Sequence, residues 1–233
     1  MIERGLFWLL RAGVEIGREK KSLSDWTDRS NSESVSEKTT KQRILDAAEK
    51  LMTEQTFHSV GLNQILKAVN VPKGSFYHHF ASKEDFGVEL LRHYSAEASA
   101  CKRRQLLAPQ LDSNPLERLM SNFERGIMLF EENGGKCPCL IVKLASEVTS
   151  LSEKMREVLA AGFEDWVGIY AELLEQAKAE DLLPADFDSA GYAQTIQDLW
   201  YGALQRAMAY RSVKPLRHAV EFFKKDLLVA EPV

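Results

Sequence analysis

From residue 39 onward, apolar residues recur at helical spacing. Ile44, Leu45, Ala48, Leu51 and Met52 fall at i, i+1, i+4, i+7 and i+8, one face of an amphipathic helix, and Thr39 or Thr40 stands where its first turn needs a cap. A second helix is expected from near Gly61, turning Leu62, Ile65, Leu66 and Val69 inward and stopping at Asn70 before Val71-Pro72. The third spans about Pro72 to Phe80, with the proline at its first position, where a missing N–H costs nothing. Ser82 and Asp85 then cap a fourth. Further helices are expected at about 84–106, 115–132, 138–148, 151–180, 188–211 and 215–229. Their breaks fall at Pro109 to Pro115, Asn133-Gly134-Gly135, Leu183-Pro184 and Lys214-Pro215. No strand-like alternation or tandem repeat interrupts the pattern, so the fold class is all-α.

Residues 1–38 differ. A short apolar patch gives way to a stretch rich in Ser, Asp and Glu, which reads as a disordered extension. The Leu6-Phe7-Trp8-Leu9-Leu10 run is short for a signal peptide, and no apolar run approaches the roughly 18 residues that span a bilayer. Neither export nor a membrane partner is expected. Cys101, Cys137 and Cys139 are too few for a disulfide scaffold and suit a reducing, cytoplasmic setting. The net charge of −4 speaks mildly against a nucleic-acid partner, but it is unevenly spread. Residues 39–94 hold seven Lys and Arg against six Asp and Glu, while residues 95–233 hold sixteen against twenty-one. The acidity therefore lies in the C-terminal part.

Between Gln55 and Lys83 there is no Asp or Glu, while Lys67, Lys73, Lys83, His58, His78 and His79 all occur there. Such a stretch can approach a polyanion. Within it runs Val71-Pro72-Lys73-Gly74-Ser75-Phe76-Tyr77-His78-His79-Phe80, followed by Ala81-Ser82-Lys83-Glu84-Asp85. This string resembles the recognition helix and following helix start of the TetR/AcrR family of transcriptional regulators. The resemblance implies three N-terminal helices forming a helix-turn-helix DNA-binding domain over 39–99, then a helical effector-sensing and dimerisation domain over 100–233. It further implies that Lys73, Ser75 and His78 face bases or neighbouring phosphates, that Gly74 keeps the helix start slim, and that Tyr77 and Lys83 bind phosphate. Taken without the family, a short basic helix in a bundle would explain the histidines, but not the whole string.

In the C-terminal part, the Tyr192, Ile196, Leu199, Trp200, Ala203, Ala207, Tyr210 stripe fits half of a four-helix bundle across a two-fold axis, and equally fits packing within one chain. The family implies the homodimer, which a palindromic operator in double-stranded DNA also requires. The segment Lys136-Cys137-Pro138-Cys139-Leu140-Ile141-Val142-Lys143-Leu144, together with Leu151 to Arg156, Leu199-Trp200 and Arg211-Ser212, resembles the subgroup of repressors that control N-ethylmaleimide reductases. That resemblance implies a small-molecule electrophile or oxidant as effector, acting at Cys139 with Cys137 beside it. A thiol at a helix start near Lys136 and Lys143 would have a lowered pKa, although free cysteines also serve as inert packing, and Cys137 and Cys139 could form a metal clip. Met208 stands where the subgroup carries a lysine, so a cysteine-to-lysine crosslink is not implied here.

Two other readings stay open. One is a noncovalent lipophilic ligand in a pocket lined by Phe123, Phe130, Trp166 and Trp200; the other is a thiol enzyme using Cys137 and Cys139. No cofactor fingerprint and no nucleophile–base constellation is readable, so no enzyme activity, cofactor or metal is expected.

Overall fold

The computed structural model describes residues 38–52, 55–108, 113–137 and 139–228. The expected disordered extension, apart from Lys38, lies outside them. In chain order the helices among the described residues are α1 (Thr40–Met52), α2 (Leu62–Ala68), α3 (Lys73–His79), α4 (Lys83–Leu106), α5 (Pro115–Glu132), α6 (Leu140–Val148), α7 (Glu153–Ala179), α8 (Ser189–Tyr210) and α9 (Lys214–Leu228). The described residues contain no strand, and the chain is all-α with an N-terminal helix-turn-helix and a C-terminal helical domain. No helix among them is long and apolar enough to cross a membrane.

Local chemistry sets the helix starts. Thr39 Oγ1 accepts from the Gln42 amide at 3.2 Å while Gln42 Oε1 accepts from the Thr39 amide at 2.9 Å, a reciprocal cap at the head of α1. Ser82, Asn114, Ser152 and Asp188 cap α4, α5, α7 and α8 through their side-chain oxygens. Pro72 departs from expectation by one residue. Its ψ of 148° leaves it extended, so it is the N-cap of α3 and Lys73 is the first helical residue.

The first three helices enclose a small core of Ile44, Leu45, Ala48, Ile65, Phe76 and Phe80. Phe76, Phe80 and Phe86 meet with ring centroids 4.9 to 5.5 Å apart, fastening α3 to the start of α4. α4, 24 residues long, runs as one continuous helix across residues 99 and 100, where the two domains are expected to divide, and joins α5, α7, α8 and α9 in the second bundle. Three groups fasten the second bundle to the first. Lys143 Nζ on α6 donates to the Met52 carbonyl at 2.8 Å, and the Glu147 carboxylate accepts from the Phe57 and His58 amides at 3.0 and 2.7 Å. Ser152 Oγ donates to Glu84 at 2.6 Å. At the same junction a Cβ on Gly87 would lie within 3 Å of the Met155 and Phe57 side chains, which would have to shift to admit it.

Candidate DNA-binding face and thiol-lined cavity

α2 and α3 are joined by a turn in which Asn70 takes a φ of 53°, a left-handed conformation that asparagine tolerates. The Val71 amide donates to the Leu66 carbonyl at 3.0 Å, closing α2. Arg43 of α1 reaches across to donate to the Val69 carbonyl at 2.7 Å, a brace between helices that sequence spacing does not reveal. With Phe76 and Phe80 turned inward, the opposite side of α3 exposes Lys73, Gly74, Tyr77 and His78. Tyr77 is 55% exposed although it is large and aromatic. Ser75 and His79 are only half-exposed. Lys83, at the first turn of α4, is exposed, lies 5.3 Å over the Phe57 ring and reaches the His58 carbonyl at 3.5 Å. A methyl group added to Gly74 would meet no protein atom within 4 Å, so packing within the chain does not call for glycine there.

Behind this unit, α1 is tied to α4 through a charged cluster. His93 Nε2 lies 3.2 Å from Asp46 and 3.8 Å from Glu97, and Lys38 pairs with Asp46 as well. The Asp46 hydrogen bond raises the His93 pKa against the opposing effect of burial, with the charges of Glu97, Asp46 and Glu49 adding to the rise. A raised histidine pKa gives stability that is complete below the unfolded value of 6.5 and is lost as pH rises through the folded value. His93→Gln is therefore expected to cost most stability below that pH and little near about pH 9, read by chemical denaturation across the range. An equal loss at both ends would contradict the assignment.

The second site is a cavity of about 160 Å³ among α4, α5, α7, α8 and the start of α6. Tyr94, Cys101, Lys102, Arg125, Cys139, Trp166, Tyr170, Gln197 and Trp200 are among its walls. Of the four aromatics expected around a pocket, Trp166 and Trp200 line it, whereas Phe123 and Phe130 are core. Phe123 stacks on Phe223 at 5.0 Å. Cys139 is the N-cap of α6 and faces the cavity, as a helix start predicts, but its chemistry differs from expectation. Burial pushes its thiol above the usual range and outweighs the Val142 and Ile141 amides, the Tyr94 hydroxyl and the charge of Lys102, all of which favour the thiolate. Of the expected cations, Lys143 donates to the Met52 carbonyl and its charge favours the Cys137 thiolate, while a lysine that sequence spacing did not mark, Lys102 on α4, favours the Cys139 thiolate.

Cys137 is buried, donates its S–H to the Cys139 carbonyl at 3.3 Å, and has its pKa pushed up to about 12 by burial, with the neighbouring Cys139 adding to the rise. It is absent from the cavity wall, while Cys101, which no motif marked, belongs to it. Lys102 and Arg125 were also unmarked by sequence reasoning, because their roles depend on which helices close around them.

Comparison with known proteins covers both halves of the chain. Residues 44–90 match the family described as bacterial regulatory proteins, tetR family, and residues 115–223 match the tetracyclin repressor-like C-terminal domain. The chain is 34% identical over 194 residues to the HTH-type transcriptional repressor NemR of Escherichia coli K12, covering 83% of this chain and 95% of that protein. It is 32% identical over 187 residues to the transcriptional regulator AcuR of Cereibacter sphaeroides, covering 80% and 84%. The crystal structure of reduced E. coli NemR superposes with a TM-score of 0.74 at 32% identity, over 79% of this chain and 95% of that one. With family profiles matched in both its halves and relatives above 30% identity aligned over most of their length, the chain belongs to the TetR family of bacterial regulatory proteins.

Proposed function

We propose that this protein is a dimeric transcriptional repressor that binds a palindromic operator through α3 and is released when an electrophile or oxidant adds to Cys139. The observation that carries the DNA reading is the exposed side of α3, where Lys73, Gly74, Tyr77 and His78 project from a stretch of sequence without Asp or Glu and no side chain packs over Gly74. Tyr77 and Lys83 hold phosphate, Lys73 and His78 reach base edges or nearby phosphates, Ser75 contributes from the edge of the face, and Gly74 leaves room for the duplex. Selection from a random DNA pool is expected to recover a symmetric site. On that site Lys83→Ala should weaken binding and flatten its salt dependence, and His78→Ala should change base preference. Gly74→Ala should keep or raise stability by up to about 1 kcal/mol and still lose affinity. No symmetric site, together with Lys83→Ala binding like wild type, would refute the reading.

The dimer reading rests on α7 and α8. Phe163, Val167, Gly168 and Ala171 share one face of α7, and Tyr201, Gly202 and Gln205 share one face of α8, with Phe163 and Tyr201 edge to face at 5.7 Å. All are exposed or half-exposed in the single chain, and a Cβ at Gly168 or Gly202 would meet no atom within 4 Å. A second copy packed there forms a four-helix bundle with close helix approach. Of the stripe expected to form it, Ile196, Ala203 and Ala207 are instead buried inside the chain, Tyr192, Leu199 and Trp200 are half-exposed, and Tyr210 is exposed.

Release works through α6. Cys139 begins that helix, and Lys143 and Glu147 on it hold Met52, Phe57 and His58 of the DNA-binding unit. An adduct on Cys139 puts a larger group between the start of α6 and the cavity wall, and a shift of α6 that accommodates it changes these hydrogen bonds. The thiol is mostly protonated at rest, and the Val142 and Ile141 amides stabilise the thiolate as it forms. Reactivity of this kind favours an effector that is bound before it reacts. NemR, a protein 34% identical to this one, carries the name of a transcriptional repressor, which supports the sign of the regulation.

A further inference from the structure

We propose that Gly126 sets the size limit for effectors that react at Cys139, by seating the Trp200 indole against the α5 backbone and out of the cavity. The inference rests on the reading of Cys139 as the reactive thiol. Asn122, Gly126 and Leu129 fall at i, i+4 and i+7 on α5 and all line the cavity, so a side chain at position 126 would project toward it. Glycine inside a helix is unfavourable by itself, and Gly126 is not among the residues with positive φ that would call for it. The reason for it lies in Trp200 of α8. A Cβ at position 126 would lie 2.7 Å from Trp200 Cζ2 and 3.3 Å from its Cη2. The indole thus occupies the place of the absent side chain.

The indole has little room to give way on the α5 side. It packs against Phe123 with ring centroids 4.8 Å apart, and Phe123 is fully buried and stacked in turn on Phe223 at 5.0 Å. Carbon atoms rest about 3.5–4.0 Å apart, so a methyl group at position 126 displaces the ring by roughly 1 Å. With α5 and the Phe123–Phe223 stack holding their places, the displaced ring takes its space from the cavity that Trp200 lines. That cavity, of about 160 Å³, is close to the roughly 150 Å³ that holds a benzene ring, so a shift of this size excludes the bulkier of two related effectors while the smaller still enters. Neither Gly126 nor Trp200 carries a charge. Access to Cys139 therefore changes while the chemistry of its thiol does not.

The test treats the full chain with N-methylmaleimide and N-cyclohexylmaleimide, which share one reactive double bond and differ in bulk. With either reagent the Cys139 sulfur bonds to one alkene carbon, the C=C π bond breaks, the thiol proton ends on the neighbouring carbon, and nothing leaves. Adduct formation at Cys139 is followed by mass spectrometry, and each rate is divided by that of N-acetylcysteine with the same reagent. The size preference is the ratio of the normalised methyl rate to the normalised cyclohexyl rate. Gly126→Ala should raise this preference about tenfold over wild type. Unfolding of the variant does not mimic that result, because an open chain reacts with both reagents alike and lowers the preference. In Trp200→Phe, whose smaller ring leaves room for the methyl group, adding Gly126→Ala should change the preference by less than about twofold. A preference unchanged in Gly126→Ala, or raised equally with and without the indole, overturns the assignment. If both reagents still modify Cys139 and release DNA in that case, the thiol reading stands without the size limit. If neither modifies Cys139 in wild type, both fail.

Discussion

Ala207→Asp is expected to unfold the chain, whereas Gly202→Asp is expected to leave a folded monomer that no longer binds operator DNA. Ala207 is fully buried on α8, so a carboxylate there is enclosed by the chain's own core. An uncompensated buried charge costs several kcal/mol, a large part of the 5–15 kcal/mol that holds a typical domain together. Gly202, on the same helix, is exposed, and an added side chain meets nothing in its own chain. Its aspartate becomes costly only when a second copy closes over it. Sedimentation should then show a folded monomer with at least about a hundredfold weaker self-association, and operator binding should fall because a lone subunit reaches one half-site. A dimer as tight as wild type in Gly202→Asp would move the interface elsewhere.

The second large effect concerns transmission. Glu147→Ala removes the acceptor for the Phe57 and His58 amides, the bonds by which α6 positions the DNA-binding unit. The variant should resemble the modified protein before any effector is added. Operator affinity is expected to fall by about 5–150-fold, the range of a coupling free energy of about 1–3 kcal/mol, and N-ethylmaleimide should then lower it little further. The Cys139 adduct should still form, since Glu147 lies two turns away from the thiol along α6. Wild-type affinity with full release in Glu147→Ala would place the coupling outside α6.

The contrast between Ala207 and Gly202 also shows what the sequence could and could not convey. Helix starts were legible because their causes are local: Thr39 with Gln42, and Ser82 with Asp85, cap within four residues. The α3 string was legible for the same reason, since Phe76 and Phe80 lie one turn apart and their burial exposes Lys73, Tyr77 and His78. The stripe on α8 was not decisive. Period 3.6 says which face is apolar but not whether α9 of the same chain or a second copy covers it. The acidity of Cys139 was misread from neighbours in sequence because its environment is built by residues distant in sequence, Tyr94 and Lys102 on α4, while Lys143 is drawn away by Met52. Arg118 shows the same limit. Its guanidinium reaches the Leu106 and Ser113 carbonyls and Gln176 at 2.6 to 2.7 Å, joining α5 to the end of α4, the segment before α5 and α7, and no short-range signal marks it.

The central claim, that modification of Cys139 releases DNA, is tested most directly by measuring operator affinity before and after N-ethylmaleimide treatment in wild type and in Cys139→Ser, with the adducts located by mass spectrometry. The account predicts that both proteins bind equally before treatment. Wild type should then lose affinity with its adduct at Cys139, and Cys139→Ser should keep its affinity even if Cys101 is modified. An unimpaired release of Cys139→Ser would contradict it and would assign sensing to another group in the cavity.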